Sequence, residues 1–220
     1  MKNDQTEYDS LYAKTSNLFG SEPETCLQAF ETQIPEGPVL DIGAGQGRNA
    51  LFLAETGSEV HALEPSKEGI RHLKDQASRR HLNVKCIQKE FGKYNSKSEV
   101  YSAVLVFGLI QILSAEDRQA MIERVASWLV PGGLVFLTGF GTQDPSMKRV
   151  QMNWHELTSQ HFVSPEQEYR FYLKPGQVST LFPGFQVLHL FEGWGPWHRH
   201  GDSEPERHDM VELVAKKSVA

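Results

Sequence analysis

The sequence predicts an α/β fold: a mostly parallel sheet with helices on both faces, closed by an antiparallel pair of strands. Three observations carry this. Short apolar runs alternate with helix-like stretches between residues 39 and 138. One of these runs, Tyr101 to Phe107 (YSAVLVF), is apolar in the continuous way of a strand buried on both faces. The last two strand-like runs are joined by Gly193 to His208, a segment too short and too rich in helix breakers for a crossover helix.

The elements follow in order. Residues 1–37 form one or two covering helices, with Tyr8 and Tyr12 on one helix face. Val39 to Ile42 is the first strand and ends in a glycine cluster. Asn49 to Thr56 is a helix with Gly57 as its C-cap. Glu59 to Leu63 (EVHAL) is the second strand. Ser66 caps a helix over Lys67 to Arg80, where apolar positions recur at helical spacing. Val84 to Ile87 and Tyr101 to Phe107 are the third and fourth strands, and Glu116 to Leu129 is an amphipathic helix. Pro131-Gly132-Gly133 reads as a turn into a fifth strand, Leu134 to Thr138. Residues 139–174 read as an aromatic-rich, irregular insertion over the site. Pro175 to Leu181 reads as a short helix, and Phe185 to Glu192 and Asp209 to Ala215 as the final hairpin. The whole is expected to be a single domain, with 38–138 as its ligand-binding core and 175–220 as its last helix and hairpin.

Composition narrows the classes. The 220 residues carry a net charge of −6, which disfavours broad nucleic-acid binding through a basic surface. Two cysteines, Cys26 and Cys86, make no disulfide scaffold. The polar start MKNDQTEYDS is not a signal peptide, and the longest apolar run, Ala103 to Ile110, is too short for a bilayer. A cytoplasmic protein acting away from membranes, monomeric or homodimeric, is expected.

The sharpest motif is Asp41-Ile42-Gly43-Ala44-Gly45-Gln46-Gly47, between a strand and a helix. Glycines there permit positive φ and close approach of a ligand. The loop lacks the third glycine of a dinucleotide fingerprint, where Arg48 stands, and the Gly-Lys-Ser/Thr of a P-loop. Asp41 repels a pyrophosphate and attracts an ammonium. Glu64 ends the second strand 23 residues later, beside the first loop, where a carboxylate accepts from both hydroxyls of a ribose. The ligand implied has a ribose, an ammonium and no phosphate.

VLDIGAGQGRNALFLA followed by VHALEPS resembles the first two motifs of class I S-adenosylmethionine-dependent methyltransferases. YSAVLVFGLIQIL and LVPGGLVFLTGF resemble the motifs of strands four and five, although Ser102 stands where the family often has an aspartate. The resemblance implies a Rossmann-like, seven-stranded sheet with an antiparallel last strand. It also implies S-adenosylmethionine as cofactor, S-adenosylhomocysteine as product and a methyl acceptor as partner. It gives Asp41, Gly43, Ala44, Gly45 and Asn49 to the loop side of the cofactor, Glu64 and Pro65 to the ribose side, Glu90 and Phe91 to the adenine, and Phe107 to the end of the fourth strand.

A finer resemblance is to the small-molecule branch that includes tellurite-resistance methyltransferases. Phe19, Gly20 and Pro23 match its cofactor-covering segment, and His198 and Arg199 match a His-Arg pair lining the active site; Arg207 matches a later arginine only loosely. Small acceptors follow, including soft anions such as an oxyanion or thiolate. The alternatives are a cofactor-binding scaffold without transferase activity and a methyltransferase for protein or nucleic acid. His198, His200 and His208 share one loop, but with no cysteine nearby and no evident fourth ligand they are read as no metal site. Trp194 and Trp197 are expected to be buried and to fix that loop. Trp154, His155, His161, Phe162, Tyr169, Phe171 and Tyr172 crowd the acceptor-side insertion.

Overall fold

The structure, a computed structural model, describes residues 2–199 and 203–219. His200 lies outside the described residues. The elements run α1 (Lys2–Lys14), α2 (Thr25–Phe30), β1 (Val39–Ile42), α3 (Arg48–Glu55), β2 (Val60–Glu64), α4 (Lys67–Arg79), β3 (Val84–Gln88), β4 (Tyr101–Phe107), α5 (Ala115–Trp128) and β5 (Leu129–Phe140). They continue with α6 (Pro145–Asn153), β6 (His155–Thr158), β7 (His161–Val163), β8 (Tyr169–Phe171), β9 (Phe185–Trp194) and β10 (Asp209–Lys217).

Seven strands form one sheet in the order β3-β2-β1-β4-β5-β10-β9. β1 pairs in parallel with both β2 and β4, so the chain reverses its direction of winding at β1. That reversal opens a crevice at the carboxyl ends of β1 and β4, where open α/β sheets bind ligands. β10 is antiparallel to both neighbours, as the breaker-rich loop before it predicts.

The central strands are buried on both faces, which is why they read as continuous apolar runs. One core packs Ile42, Leu63, Val104 and Val106 against Met121, Val125 and Trp128 of α5. The other packs Val39, Ala62, Ala103 and Leu105 against Leu53 of α3 and Leu73 of α4. A large apolar side chain so buried contributes about 1.5–3 kcal/mol. The Ser66 hydroxyl caps α4 by accepting from the Gly69 amide at 3.0 Å.

The structure corrects four expectations. Pro131-Gly132-Gly133 is an irregularity inside β5, opposite Tyr101 and Ala103, with Gly132 at φ 80°. The apolar residues on either side pair with the sheet, so the breakers bend the strand without ending it. Residues 139–174 are ordered into α6 and a second sheet, β6-β7-β8, around buried Val150, Phe162 and Tyr172. The expected helix at Pro175 to Leu181 shrinks to one 3-10 turn, Val178–Thr180, too short a segment between two turns to propagate. Trp194 and Trp197 are exposed, and the Arg207 guanidinium lies over both rings, at 4.7 and 5.3 Å from their centroids.

Candidate active site

The loop after β1 turns where the sequence places it. Gly43, Gly45 and Gly47 all have positive φ. The Gly43 and Ala44 amides both donate to the Leu63 carbonyl, at 2.8 and 3.1 Å, which folds the loop back onto β2. At Gly47 (φ 96°) a Cβ would stand 2.2 Å from Leu73 Cδ1, so α3 and α4 approach this closely only with glycine there.

Glu64 is buried beneath this loop. Its Oε2 accepts from the Gly45 amide at 2.8 Å and its Oε1 from the Ser66 amide at 2.9 Å. Burial pushes its carboxyl up, and the two amides pull it back. Glu64 thus supports the glycine loop from below. Pro65 and Glu90 line a groove of about 190 Å³ with Gln88, Lys89 and Lys93. Glu90 pairs with Lys93 at 2.8 Å, and Phe91 packs its ring on the edge of Trp128. Phe107 ends β4 with its ring 6.4 Å from Phe136.

Asp41 is the outlier. It is buried, and its Oδ2 has no hydrogen-bond partner among the described residues. Burial is the main cause that raises its carboxyl from the ordinary 3.8 to about 7; Arg48 opposes the rise and Glu64 adds to it. An unpartnered buried acceptor costs about 1–3 kcal/mol, and an ammonium presented to it would recover that cost.

Asn49 also ties the loop to the N-terminal segment. Its Oδ1 accepts from the Glu24 amide at 2.9 Å, so it anchors the segment before α2. Its neighbours do the same. Gln46 accepts from the Leu18 amide at 2.9 Å and donates to the Thr15 carbonyl at 2.6 Å, and Arg48 pairs with the Glu24 carboxylate. Asp9 in α1 accepts from the Ser66 hydroxyl and from the Glu68 amide. These bonds hold the N-terminal segment across the crevice. Tyr8, Tyr12 and Phe19 cluster there, and the Tyr12 hydroxyl reaches Gly45. Burial and the Glu64 charge push the Tyr12 phenol up, so it stays a donor.

Sequence reasoning missed Gln111. It is buried just after β4, its amide sits between Gly108 and Gly139 at the carboxyl ends of β4 and β5, and its Oε1 is unpartnered among the described residues. A glutamine inside the apolar run GLIQIL was the available signal. Buried His161 lies nearby in the second sheet beside Phe171, over which the Arg118 guanidinium sits at 3.7 Å. Burial, then Arg118, holds the His161 imidazole below its ordinary range.

His198 and Arg199 lie on the final hairpin loop. His198 Nδ1 donates to the Pro196 carbonyl at 3.2 Å, and Arg199 donates to the Ser203 carbonyl at 3.1 Å. The His198 ring lies 5.2 Å from that of His208. His208 donates from Nδ1 to Asp144 at 2.7 Å, a partner 64 residues away.

Switch-point glycine loop, buried acid at the end of β1 and second acid at the end of β2 form the arrangement that the resemblance to S-adenosylmethionine-dependent methyltransferases implies. Residues 39–133 match the family model described as "Methyltransferase domain". That match covers the strands and the loop that carry Asp41 and Glu64. It is 29% identical over 147 residues to a probable (S)-tetrahydroprotoberberine N-methyltransferase 2 of Papaver bracteatum, covering 59% of this chain and 40% of that protein. It is 26% identical to a probable S-adenosyl-L-methionine-dependent methyltransferase TehB of Haemophilus influenzae, covering 43% of this chain and 33% of that protein. The crystal structure of TehB from Haemophilus influenzae superposes with a TM-score of 0.67 at 18% identity, over 87% of this chain and 61% of that one, a likeness of fold. The matches span well under half the length of these curated relatives.

Proposed function

We propose that this protein transfers a methyl group from S-adenosylmethionine to a small-molecule acceptor. The observation that carries the reading is Asp41 Oδ2, buried and unpartnered beside a glycine loop that Glu64 braces from below. S-adenosylmethionine supplies the methyl already activated on a sulfonium. The protein's part is therefore chiefly to hold donor and acceptor in line and exclude water.

Asp41 takes the ammonium. Gly43, Ala44 and Gly45 bring backbone close to the ligand, and Glu64 and Pro65 meet the ribose. Glu90 and Phe91 flank the adenine, with the groove beside Pro65 as its seat. Phe107 bounds the pocket at the end of β4. The segment carrying Tyr8, Tyr12 and Phe19 covers the crevice and keeps water out. On the acceptor side, Gln111 Oε1 accepts a hydrogen bond from an N–H or O–H at the ends of β4 and β5, while the second sheet closes over it.

Small acceptors are supported by this enclosed setting and by the named substrate of the Papaver relative. The finer reading is a soft anion such as an oxyanion or thiolate, engaged by His198 and Arg199 of the hairpin loop. Both cysteines are free, which fits a cytoplasmic place of action, and no described helix is long and apolar enough to cross a membrane.

The test is formation of S-adenosylhomocysteine across a panel of thiols, oxyanions and amines, with cofactor binding measured by calorimetry. Binding with turnover of at least one acceptor supports the proposal. Binding with no turnover on any acceptor supports a scaffold role instead, and no binding removes both.

A further inference from the structure

We propose that the final hairpin loop holds a divalent transition cation on His198, Glu206 and His208, at the carboxyl end of β5. One ligating atom from each of these three residues lies within 4.8 Å of the other two. They come from two arms of the loop, clipped together by reciprocal backbone bonds between His198 and Glu206, both 2.8 Å.

The surroundings orient the ligands as metal-binding histidines are oriented. The Asp144 side chain is fully buried, and its Oδ2 accepts from His208 Nδ1 at 2.7 Å. Asp144 is itself held by the Ser146 amide at 2.9 Å and by the Ser146 hydroxyl, which contacts the Tyr172 hydroxyl at 2.9 Å. A carboxylate only accepts, so the proton of neutral His208 is on Nδ1 and the lone pair is on Nε2. That Nε2 is 3.9 Å from Glu206 Oε2. Phe140, stacked at 4.3 Å, sets the plane of the ring. His198 is held in the same way, its Nδ1 donating to the Pro196 carbonyl. A partner on Nδ1 that fixes tautomer and ring direction is the outer shell of a histidine metal site.

Two imidazoles and one carboxylate suit zinc and its neighbours, not magnesium or calcium, which take oxygen ligands. A tetrahedral zinc with bonds of about 2.0–2.1 Å places its ligands roughly 3.4 Å apart. The ligand atoms, now within 4.8 Å of one another, must draw in to that value when the cation binds. Three protein ligands leave a fourth position for water or for an anionic ligand. The sequence alone offers no such set, because Glu206 joins through the backbone clip and Asp144 through a fold-level contact. The site shares His198 with the proposed acceptor contact, so zinc binding is measured without cofactor or acceptor.

The test is calorimetric titration of the chelator-stripped, tag-free chain with zinc chloride, alongside magnesium chloride. One equivalent of zinc with micromolar or tighter affinity and no magnesium binding is expected. Replacement of zinc by cobalt should give the visible absorption of a tetrahedral N/O site. His208→Ala and the loop variant His198→Gln should each weaken zinc at least tenfold. Asp144→Asn should weaken it about 10–100-fold, because the ligands remain and only their orientation is lost. Melting temperature is followed throughout, and His198→Gln, on the loop surface, keeps the test valid if Asp144→Asn unfolds. Absence of saturable zinc binding by the natural chain overturns the proposal. So does zinc binding that is unchanged in both histidine variants. S-adenosylhomocysteine affinity, measured on the same samples, reports separately on the cofactor site.

Discussion

Asp41→Asn separates stability from binding at one atom. The folded chain holds the Asp41 proton up to about pH 7, whereas the unfolded chain releases it near the ordinary 3.8. The folded state thus binds the proton more tightly. The resulting stabilisation is fully present below about pH 3.8 and is lost as pH rises to about 7, a change on the order of 4 kcal/mol. Asparagine does not ionise and removes this term. The variant should therefore gain on the natural protein as pH rises, by about 2 kcal/mol between pH 5 and pH 7, and the gap should level off above that. Urea denaturation at several pH values measures it. Affinity should move the other way. An ammonium ligand binds best to the ionised carboxylate, so the natural protein should bind S-adenosylhomocysteine about tenfold more tightly for each pH unit up to about 7. The variant should bind weakly and with a flat profile. If natural protein and variant show parallel pH dependence in both measurements, Asp41 is neither the buried acid nor the ammonium's partner.

Three further outcomes follow from the geometry. Glu64→Gln turns one of two acceptors into a donor facing an amide, so S-adenosylhomocysteine affinity should fall at least about tenfold, with a lower melting temperature; unchanged affinity by calorimetry would falsify the ribose assignment. Gly47→Ala sets a Cβ against Leu73 at φ 96° and should cost about 1–3 kcal/mol, read as a melting-temperature loss of several degrees. Arg199→Lys keeps the charge and loses the planar fork. With an oxyanion or thiolate acceptor it should slow turnover while leaving S-adenosylhomocysteine affinity intact, and equal loss of both would place Arg199 with the cofactor instead.

What the sequence determined by itself is the part of the protein governed by local rules. Continuous apolar runs made buried parallel strands, Ser66 made a helix cap, and glycines between strand and helix made a loop with positive φ. Even the meeting of Glu64 with that loop follows from parallel topology, which sets adjacent strand ends side by side. Tertiary structure decided everything that depends on distant partners. Asn49 stands in the loop motif, yet the group that meets its oxygen, the Glu24 amide, lies 25 positions away. Trp194 and Trp197 look like core residues, yet the edge strand leaves them exposed under Arg207. The second sheet hides in the sequence because its strands are only three or four residues long, below the length at which a period of two can be read. Asp144 and His208, 64 positions apart, meet only because β10 inserts beside β5, and no local pattern encodes a contact made by the packing of a whole sheet.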